Sequence, residues 1–397
     1  MSLINLFIHY IAGSKLTEYA VIKVPYNRPL ILGGELENIN KVFVNDQFSG
    51  NGEFSKKCNA SLEKKTGCRK AIVTSSCTDA LEMTALLADI QPGDEVIMPS
   101  FTFVTTASAF ELRKANIVWC DIRPDTKNID EKKIEALITP RTKAVVVVHY
   151  AGVGCEMDSI ISICREHNLI LIEDDAQGID SSYKGRALGS FGDMAALSFH
   201  ETKNIQCGEG GALLVNNSEL VERAEFIRDK GTDRIHFNEG LVDKYTWVEL
   251  GSSFLMSELQ AAFLYSQLNN SEKVRNDRLN SWNLYYKLLS EFIPADKLPV
   301  VPENCVHNAH IFYFLCEDFE ERAGMIRFLN EKGIGAIFHY VPLHQAPYWK
   351  GKYDYLNLKV TEKITRTLIR LPMFYRLKET EIEYVCSKIK EFYRVGI

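Results

Sequence analysis

Residues 169–177 read Leu-Ile-Leu-Ile-Glu-Asp-Asp-Ala-Gln, four apolar residues running without a polar break into three acids. A strand with one wet face alternates apolar and polar residues, whereas a strand covered on both faces is apolar throughout, as in parallel sheets flanked by helices. The run Ala144-Val145-Val146-Val147-Val148 has the same character, and Glu156 to His167 between the two carries a helical pattern. The alternation extends outward in both directions. Ala71 to Val73, Glu95 to Met98 and Asn116 to Cys120 read as strands, with helices expected over Thr78 to Ala88, Val104 to Lys114 and Asp130 to Leu137. Met194 to Phe199 and Ala212 to Val215 read as further strands, followed by a helix from Ser218 to Lys230. The pattern predicts an α/β large domain with a mostly parallel sheet, whose ligands collect at the carboxyl ends of the strands.

Beyond this region the composition shifts. A helical stretch from Ser257 to Leu289 leads to Pro294, Pro299 and Pro302, which mark the passage into a smaller α+β domain. There Ile311 to Leu315 and Ile334 to Phe338 are strand-like, with helices near 320–331 and 379–393. The expected division is an N-terminal extension over 1–23, a large domain over 24–265 and a small C-terminal domain over 266–397. Leu3 to Ala12 is largely apolar but contains Asn5 and His9 and has no basic residue before it, so it makes a poor signal peptide.

Of the 397 residues, 46% are hydrophobic and 25% charged, the balance of an ordinary globular protein. A net charge of −6, without a long Lys/Arg run, argues against nucleic acid and anionic membrane as partners. No apolar stretch approaches the roughly 20 residues needed to span a bilayer. Ten cysteines are scattered with no Cys-x-x-Cys pair, which argues against a zinc site or a disulfide framework and suits a reducing cytoplasm.

Lys203 lies in Ser-Phe-His-Glu-Thr-Lys-Asn (198–204), between a strand end and the Gly-Glu-Gly-Gly of 208–211. Burial there can lower the amine's pKa and hold its stem, which makes Lys203 a candidate Schiff-base lysine. Asp174, at the end of the 169–172 strand, can hold a pyridinium nitrogen protonated. Thr74 to Thr78 follows a strand and opens a helix, so the hydroxyls of Ser76 and Thr78 and the first free N–H groups can cradle a phosphate, although such a cluster is also an ordinary N-cap. Ser198 is a further hydroxyl beside the lysine loop. Phe101 and Phe103 stand where sheet meets loop, available either to a planar cofactor or to the core. Glu173 to Asp175 could instead hold a divalent metal, but no matching cluster lies nearby in sequence, and the expectation is no metal.

Ser76 to Leu81, Pro99 to Thr106, Glu173 to Gln177, Ser198 to Asn204 and Gly208 to Gly211 occur in the order and spacing of the DegT/DnrJ/EryC1/StrS sugar aminotransferases, and over residues 24–397 the chain resembles that family. Gln91 to Pro99, His149 to Val153, Lys244 to Trp247, Gly251 to Ser253 and Phe338 to His344 resemble the branch that forms dTDP-4-amino-4,6-dideoxygalactose for enterobacterial surface polysaccharide.

The resemblance implies a pyridoxal-phosphate fold of the aspartate-aminotransferase type (fold type I), L-glutamate as amino donor, a nucleotide-linked 4-keto-6-deoxyhexose as acceptor, and a homodimer with sites at the subunit boundary. It implies Lys203 as the Schiff-base lysine, Asp174 as the pyridinium partner, Gln177 beside the cofactor hydroxyl, Phe103 as the stacking aromatic, and Cys77, Thr78 and Ser198 in the phosphate cradle. It places His339 and Tyr340 near the substrate, although a packed or solvated histidine is the competing reading of His339. Cys77 stands where the wider family commonly has glycine, Asp175 where it has alanine, and Lys230-Gly231 where it has His-Gly. Leu255 replaces an asparagine that often reaches the partner subunit's phosphate, a contact that Ser252 or Ser253 could supply. A C3-specific or gluco-forming transaminase, and a non-catalytic nucleotide-sugar-binding homologue, remain as alternatives. A dehydratase of this fold is disfavoured because that chemistry goes with loss of the lysine.

Overall fold

The computed structural model describes residues 23–353 and 356–395. Apart from Lys23, the expected N-terminal extension therefore lies outside the described residues. Among the described residues twelve strands are present: β1 Lys70–Thr74, β2 Glu95–Pro99, β3 Asn116–Cys120, β4 Thr142–Val148, β5 Ile170–Asp174, β6 Ser182–Tyr183, β7 Arg186–Ala187, β8 Met194–Ser198, β9 Gly211–Val215, β10 Cys305–Val306, β11 Phe312–Leu315 and β12 Leu368–Leu371.

The main sheet has seven strands in the order β1-β9-β8-β5-β4-β2-β3. The pairs of β2 with β3, β2 with β4, β4 with β5 and β5 with β8 are parallel, while β9 runs antiparallel to both β1 and β8. This is the mostly parallel α/β sheet that the unbroken apolar runs predict. Helices Cys77–Leu87 and Val104–Glu111 cover one face, where Leu81, Met83, Ala107 and Phe110 pack with Ile72, Val96, Met98 and Val146. On the other face Met157, Ile160 and Cys164 of helix Met157–Glu166 meet Ile97, Val145, Val147 and Leu171. Opposite residues of one strand thus enter different cores, which is why neither face tolerates a polar position.

Two expectations for the C-terminal third need correction. The stretch Ser257 to Leu289 is two helices, Glu258–Leu268 and Ser271–Leu289. The break falls at Asn269-Asn270, where Asn270 Nδ2 donates to the Ser266 carbonyl at 2.8 Å, the side-chain competition with backbone bonding that makes asparagine a poor helix-interior residue. Ile334 to Phe338 forms no strand but two single bridges, Ile334 with Val24 and Ile337 with Arg370. Gly335 is pressed onto the chain, since a Cβ there would lie 2.5 Å from the Tyr26 nitrogen. The partner of β11 is instead β12, in antiparallel register from Phe312 opposite Leu371 to Leu315 opposite Leu368.

Around this second sheet, helices Ser271–Leu289, Phe319–Glu331 and Glu379–Val395 build a separate core from Trp282, Tyr285, Phe312, Phe314, Leu329, Ile369, Leu371, Val385 and Ile389. Leu343, Trp349, Tyr353 and Leu358 return to the main sheet and join the first core. Among the described residues no helix is long and apolar enough to cross a membrane. The ten cysteines are free thiols, nine of them buried.

Candidate active site

The main sheet ends in a cavity of about 510 Å³ that also takes residues from the second sheet. Asp174 is the last residue of β5 and Ser198 the last of β8, while Ser76 to Thr78 follow β1 and Thr102 and Phe103 follow β2; all of them line the cavity. Gln177, Lys203, His339 and Tyr340 line it as well. Ser252 and Ser253 do not. Both are exposed, next to the bridge between Asp229 and Ser253 and the bond from the Lys230 N–H to the Ser252 carbonyl.

Asp174 is 5% exposed. Its Oδ2 accepts a hydrogen bond from Thr106 Oγ1 at 2.6 Å, and its Oδ1 accepts from the Ala176 N–H at 3.2 Å. Burial raises the carboxyl's pKa, opposed by the Thr106 and Ala176 bonds and by the positive charge of Lys203 and then His149. Adjacent strand residues face opposite ways. Asp175 accordingly turns away from the cavity, fully buried, with neither carboxylate oxygen hydrogen-bonded among the described residues. Burial, with Glu173 and Asp174 adding to it, pushes its pKa well up and favours its neutral form. Gly178 makes room for it: a Cβ there would lie 1.8 Å from Asp175 Oδ1.

Glu173 accepts from the N–H groups of Gly189, Phe191 and Gly192 at 2.9, 2.6 and 2.7 Å and pairs with His149 Nε2 at 2.9 Å. The three acids therefore do not converge on one point, and the metal reading of this run has no geometric basis.

Lys203 is held by a loop that folds on itself. The Lys203 N–H donates to the His200 carbonyl, Glu201 N–H to Gly208, and Cys207 N–H to Phe199, each at 2.8 Å. Burial lowers the pKa of its amine; Cys77 and Asp174 oppose this and Arg370 adds to it. Gly211 brings the same loop against the phosphate-type turn, since a Cβ would sit 2.4 Å from the Cys77 nitrogen. In that turn Ser76 caps the helix by accepting from the Asp79 N–H at 3.0 Å. The N–H groups of Cys77 and Thr78 have no hydrogen-bond partner among the described residues, as expected for the first turn of a helix.

Gln177 Oε1 accepts from the Ala151 N–H at 2.7 Å, and its Nε2 donates to Tyr340 Oη at 3.0 Å. Phe103 is 58% exposed at the mouth. Tyr340 stacks on His339, ring centroids 4.0 Å apart, and meets Phe101 edge-on. His339 lies between Tyr150 Oη, 3.3 Å from Nδ1, and an Arg370 guanidinium nitrogen at Nε2. Burial, then Arg370 and Lys203, push its pKa well down, so the ring is neutral. His344 takes no part: its Nδ1 bonds Ser100 Oγ at 2.7 Å and its Nε2 faces Glu362.

Sequence reasoning missed Tyr26, Thr102, Thr106, His310 and Arg370. Thr106 lay inside a quoted motif without a role. His310 donates through Nδ1 to Asn204 Oδ1 at 3.0 Å, because the Asn204 amide nitrogen is engaged with the Asn308 carbonyl at 2.9 Å. Arg370 left one local signal, a lone charge inside Leu-Ile-Arg-Leu.

Comparison with known proteins agrees with this fold. Residues 31–390 match the DegT/DnrJ/EryC1/StrS aminotransferase family. The chain is 34% identical over 346 residues to the pleiotropic regulatory protein of Geobacillus stearothermophilus, covering 86% of this chain and 90% of that protein. It is 30% identical over 379 residues to the spore coat polysaccharide biosynthesis protein SpsC of Bacillus subtilis, covering 93% and 96%. Among solved structures it resembles the aminotransferase TlmJ of Streptoalloteichus hindustanus, with a TM-score of 0.85 at 28% identity over 94% of this chain and 99% of that one. It also resembles PseC of Helicobacter pylori, an aminotransferase involved in pseudoaminic acid biosynthesis, with a TM-score of 0.86 at 25% identity over 94% and 99%. The chain belongs to the DegT/DnrJ/EryC1/StrS aminotransferase family.

Proposed function

We propose that this protein transfers an amino group from L-glutamate to the C4 ketone of a nucleotide-linked 4-keto-6-deoxyhexose, forming dTDP-4-amino-4,6-dideoxygalactose for surface polysaccharide. The observation that carries the reading is the convergence of Lys203, Asp174 and the free N–H groups of Cys77 and Thr78 on one cavity. The residues fit pyridoxal 5′-phosphate. A phosphate finds orphaned donors at a helix N-terminus, a ring nitrogen finds the carboxylate of Asp174, and an aldehyde finds a lysine whose amine burial shifts toward its uncharged form. Ser76 and Ser198 add hydroxyls to the phosphate end, Gln177 stands beside the ring hydroxyl, and Phe103 covers the ring.

When bound, the cofactor supplies a carbonyl that condenses with amines and a ring that takes up the electron pair left when a proton departs from carbon. Asp174, whose ionised form the Thr106 and Ala176 bonds favour against burial, would hold the ring nitrogen in its protonated form. Lys203 Nζ acts as base and acid in turn. With glutamate it removes the proton from Cα, and with the sugar it delivers a proton to C4 from its own side. His339 and Tyr340, fixed by Tyr150 and Gln177, seat the sugar so that one face of C4 meets Lys203. The expected product carries an axial C4 amine.

A second subunit completes the assembly. Residues 237–250 carry Phe237, Leu241, Tyr245, Trp247, Val248 and Leu250, all at least 44% exposed, an apolar band of the kind that marks an interface. Ser252 and Ser253 at its end would then serve the partner's phosphate rather than this chain's. The ten free thiols suit a reducing cytoplasm.

Purified protein should be yellow and bleach on addition of glutamate. NMR of the product made from dTDP-4-keto-6-deoxyglucose then decides the sugar. A large coupling between H3 and H4 means an equatorial amine and refutes the galacto assignment while leaving aminotransfer standing, and an amine at C3 refutes the regiochemistry.

A further inference from the structure

The residues that fix His339 and Tyr340 share one short turn. Residues 149–153 follow β4, and Tyr150 near their start places its Oη 3.3 Å from His339 Nδ1. The next residue, Ala151, donates its N–H to Gln177 Oε1 at 2.7 Å, and Gln177 Nε2 donates in turn to Tyr340 Oη at 3.0 Å. One turn therefore governs both members of the stacked pair, His339 through the Tyr150 hydroxyl and Tyr340 through the Gln177 amide. The turn is also strained. Ala151 has φ 60° and ψ 15°, the left-handed region that costs an L-residue free energy, and Gly152 follows at φ 76°. Such a conformation persists only where its surroundings over-determine it.

Asn128 supplies that constraint from outside the turn. It lies in the loop between β3 and the helix Glu131–Ile134, 22 residues before Tyr150, is 1% exposed and does not line the cavity. Its Oδ1 accepts from the Tyr150 N–H at 2.9 Å, and its Nδ2 donates to the Val153 carbonyl at 2.9 Å. The two bonds grip the backbone on either side of Ala151-Gly152. An amide carries an acceptor and a donor on one carbon, which neither a carboxylate nor an alkyl group of that size does. The anchor is itself held, since the Asn128 carbonyl accepts from the Arg123 N–H at 2.8 Å. Among the described residues, Asn128 and Gln177 are the only side chains that bond the backbone of 150–153.

We propose that Asn128 is a positioning residue for the sugar half of the reaction: by holding the turn at Ala151 in its left-handed form, it sets Tyr150 and Gln177, and through them the His339–Tyr340 pair. The inference rests on the reading above in which that pair seats the nucleotide-sugar. Under it the two hydroxyl links serve the sugar and not glutamate, so loosening the turn weighs on one substrate.

The test uses the cofactor-loaded enzyme, its Asn128→Ala and Asn128→Asp variants, and the same substitutions in a Tyr150→Phe, Tyr340→Phe background, which lacks both hydroxyl links. Loss of two buried hydrogen bonds predicts a KM for dTDP-4-keto-6-deoxyglucose raised by about tenfold or more in Asn128→Ala, with the glutamate KM within about threefold of the parent value. Asn128→Asp keeps the acceptor for Tyr150 and loses the donor to Val153; it should move the same way and carries the test if Asn128→Ala does not fold. In the background without the hydroxyls, replacing Asn128 should raise the sugar KM by less than about threefold, because the links it acts through are already gone. Hydrogen exchange of amides 149–153 in the loaded enzyme without substrate should be faster in the Asn128 variants, which reads the turn apart from turnover. Equal rises in the two KM values, as a general loss of packing would give, overturn the proposal, and so does an undiminished effect in the hydroxyl-free background or unchanged exchange. If the parent aminates no keto-sugar, the substrate reading falls, and exchange at 149–153 still decides whether Asn128 holds the turn.

Discussion

Replacing Thr106 by valine removes one hydroxyl with little change of shape and isolates the bond that most favours the ionised form of Asp174. Thr106 is fully buried; its Oγ1 donates to Asp174 Oδ2 at 2.6 Å and lies 2.7 Å from Thr102 Oγ1. A hydrogen bond to a charged acceptor contributes about 1.5–3 kcal/mol, and among the described residues no other side chain donates to Asp174. Burial is the largest influence on this carboxyl and raises its pKa, while the Thr106 bond is the first of those that lower it. Losing the bond destabilises only the ionised form, so the pKa moves further up. Since the protonated ring nitrogen pairs only with an ionised Asp174, the acid limb of the kcat/KM profile should move to higher pH. Cofactor affinity should fall by roughly 10- to 150-fold, the equivalent of that energy. Spectrophotometric titration with pyridoxal phosphate and a pH profile with glutamate measure both. Thr106→Ser, which keeps the donor, should stay close to the parent. The reasoning is refuted if Thr106→Val binds cofactor as tightly as the parent and its acid limb stays in place.

Lys203→Ala should fold, bind pyridoxal phosphate non-covalently and lose transamination, as absorbance and turnover assays will show; ordinary turnover would remove the assignment. Asp174→Ala should cost far more activity than Asp175→Ala, because only Asp174 faces the cavity, and equal losses would mean the ring is misplaced. Asp175→Ala should also change stability in a pH-dependent way. The native pKa of Asp175 is raised above its unfolded value, so the acid's contribution is fully present below the unfolded pKa and is lost as pH rises through the native one. The variant should therefore gain on the parent as pH rises above about 4 in urea titrations, and a variant that loses ground to the parent over that range contradicts the buried, protonation-favouring acid. Gly211→Ala should lower both Tm and cofactor affinity, since the added carbon would lie 2.4 Å from the Cys77 nitrogen; an unchanged melting curve would show that the turn can move aside.

The main sheet was legible because its physics is local. A strand sealed on both faces must be apolar at every position, and Val145 to Val148 and Leu171 to Ile172 satisfy that without reference to anything distant. The second sheet was not, because its strands are short and their pairing is set by long-range packing. Leu368–Leu371 gives too few residues for a period, and Ile334 to Phe338 has strand-like composition but sits between Val24 and Arg370 as single bridges. The asparagine pair that divides 257–289 was visible as a propensity and was outweighed by the helical pattern on either side of it.

The site divides along the same line. Asp174, Lys203 and Ser76 to Thr78 sit at strand ends, where a few neighbouring residues determine both position and chemistry, and the structure brings them all to one cavity. Tyr26, His310 and Arg370 reach that cavity from elements far away in sequence, and nothing beside them announces it. Arg370 shows what signal survives. A guanidinium inside Leu-Ile-Arg-Leu must reach solvent, an acid or a ligand, because leaving it buried and unpaired costs several kcal/mol. The chain withholds the first two: β12 is buried throughout, and no acid pairs with Arg370 among the described residues. A charged residue in the middle of an otherwise apolar short strand is therefore a question about ligands before it is a question about folding, and Arg370 lines the cavity that also holds Lys203.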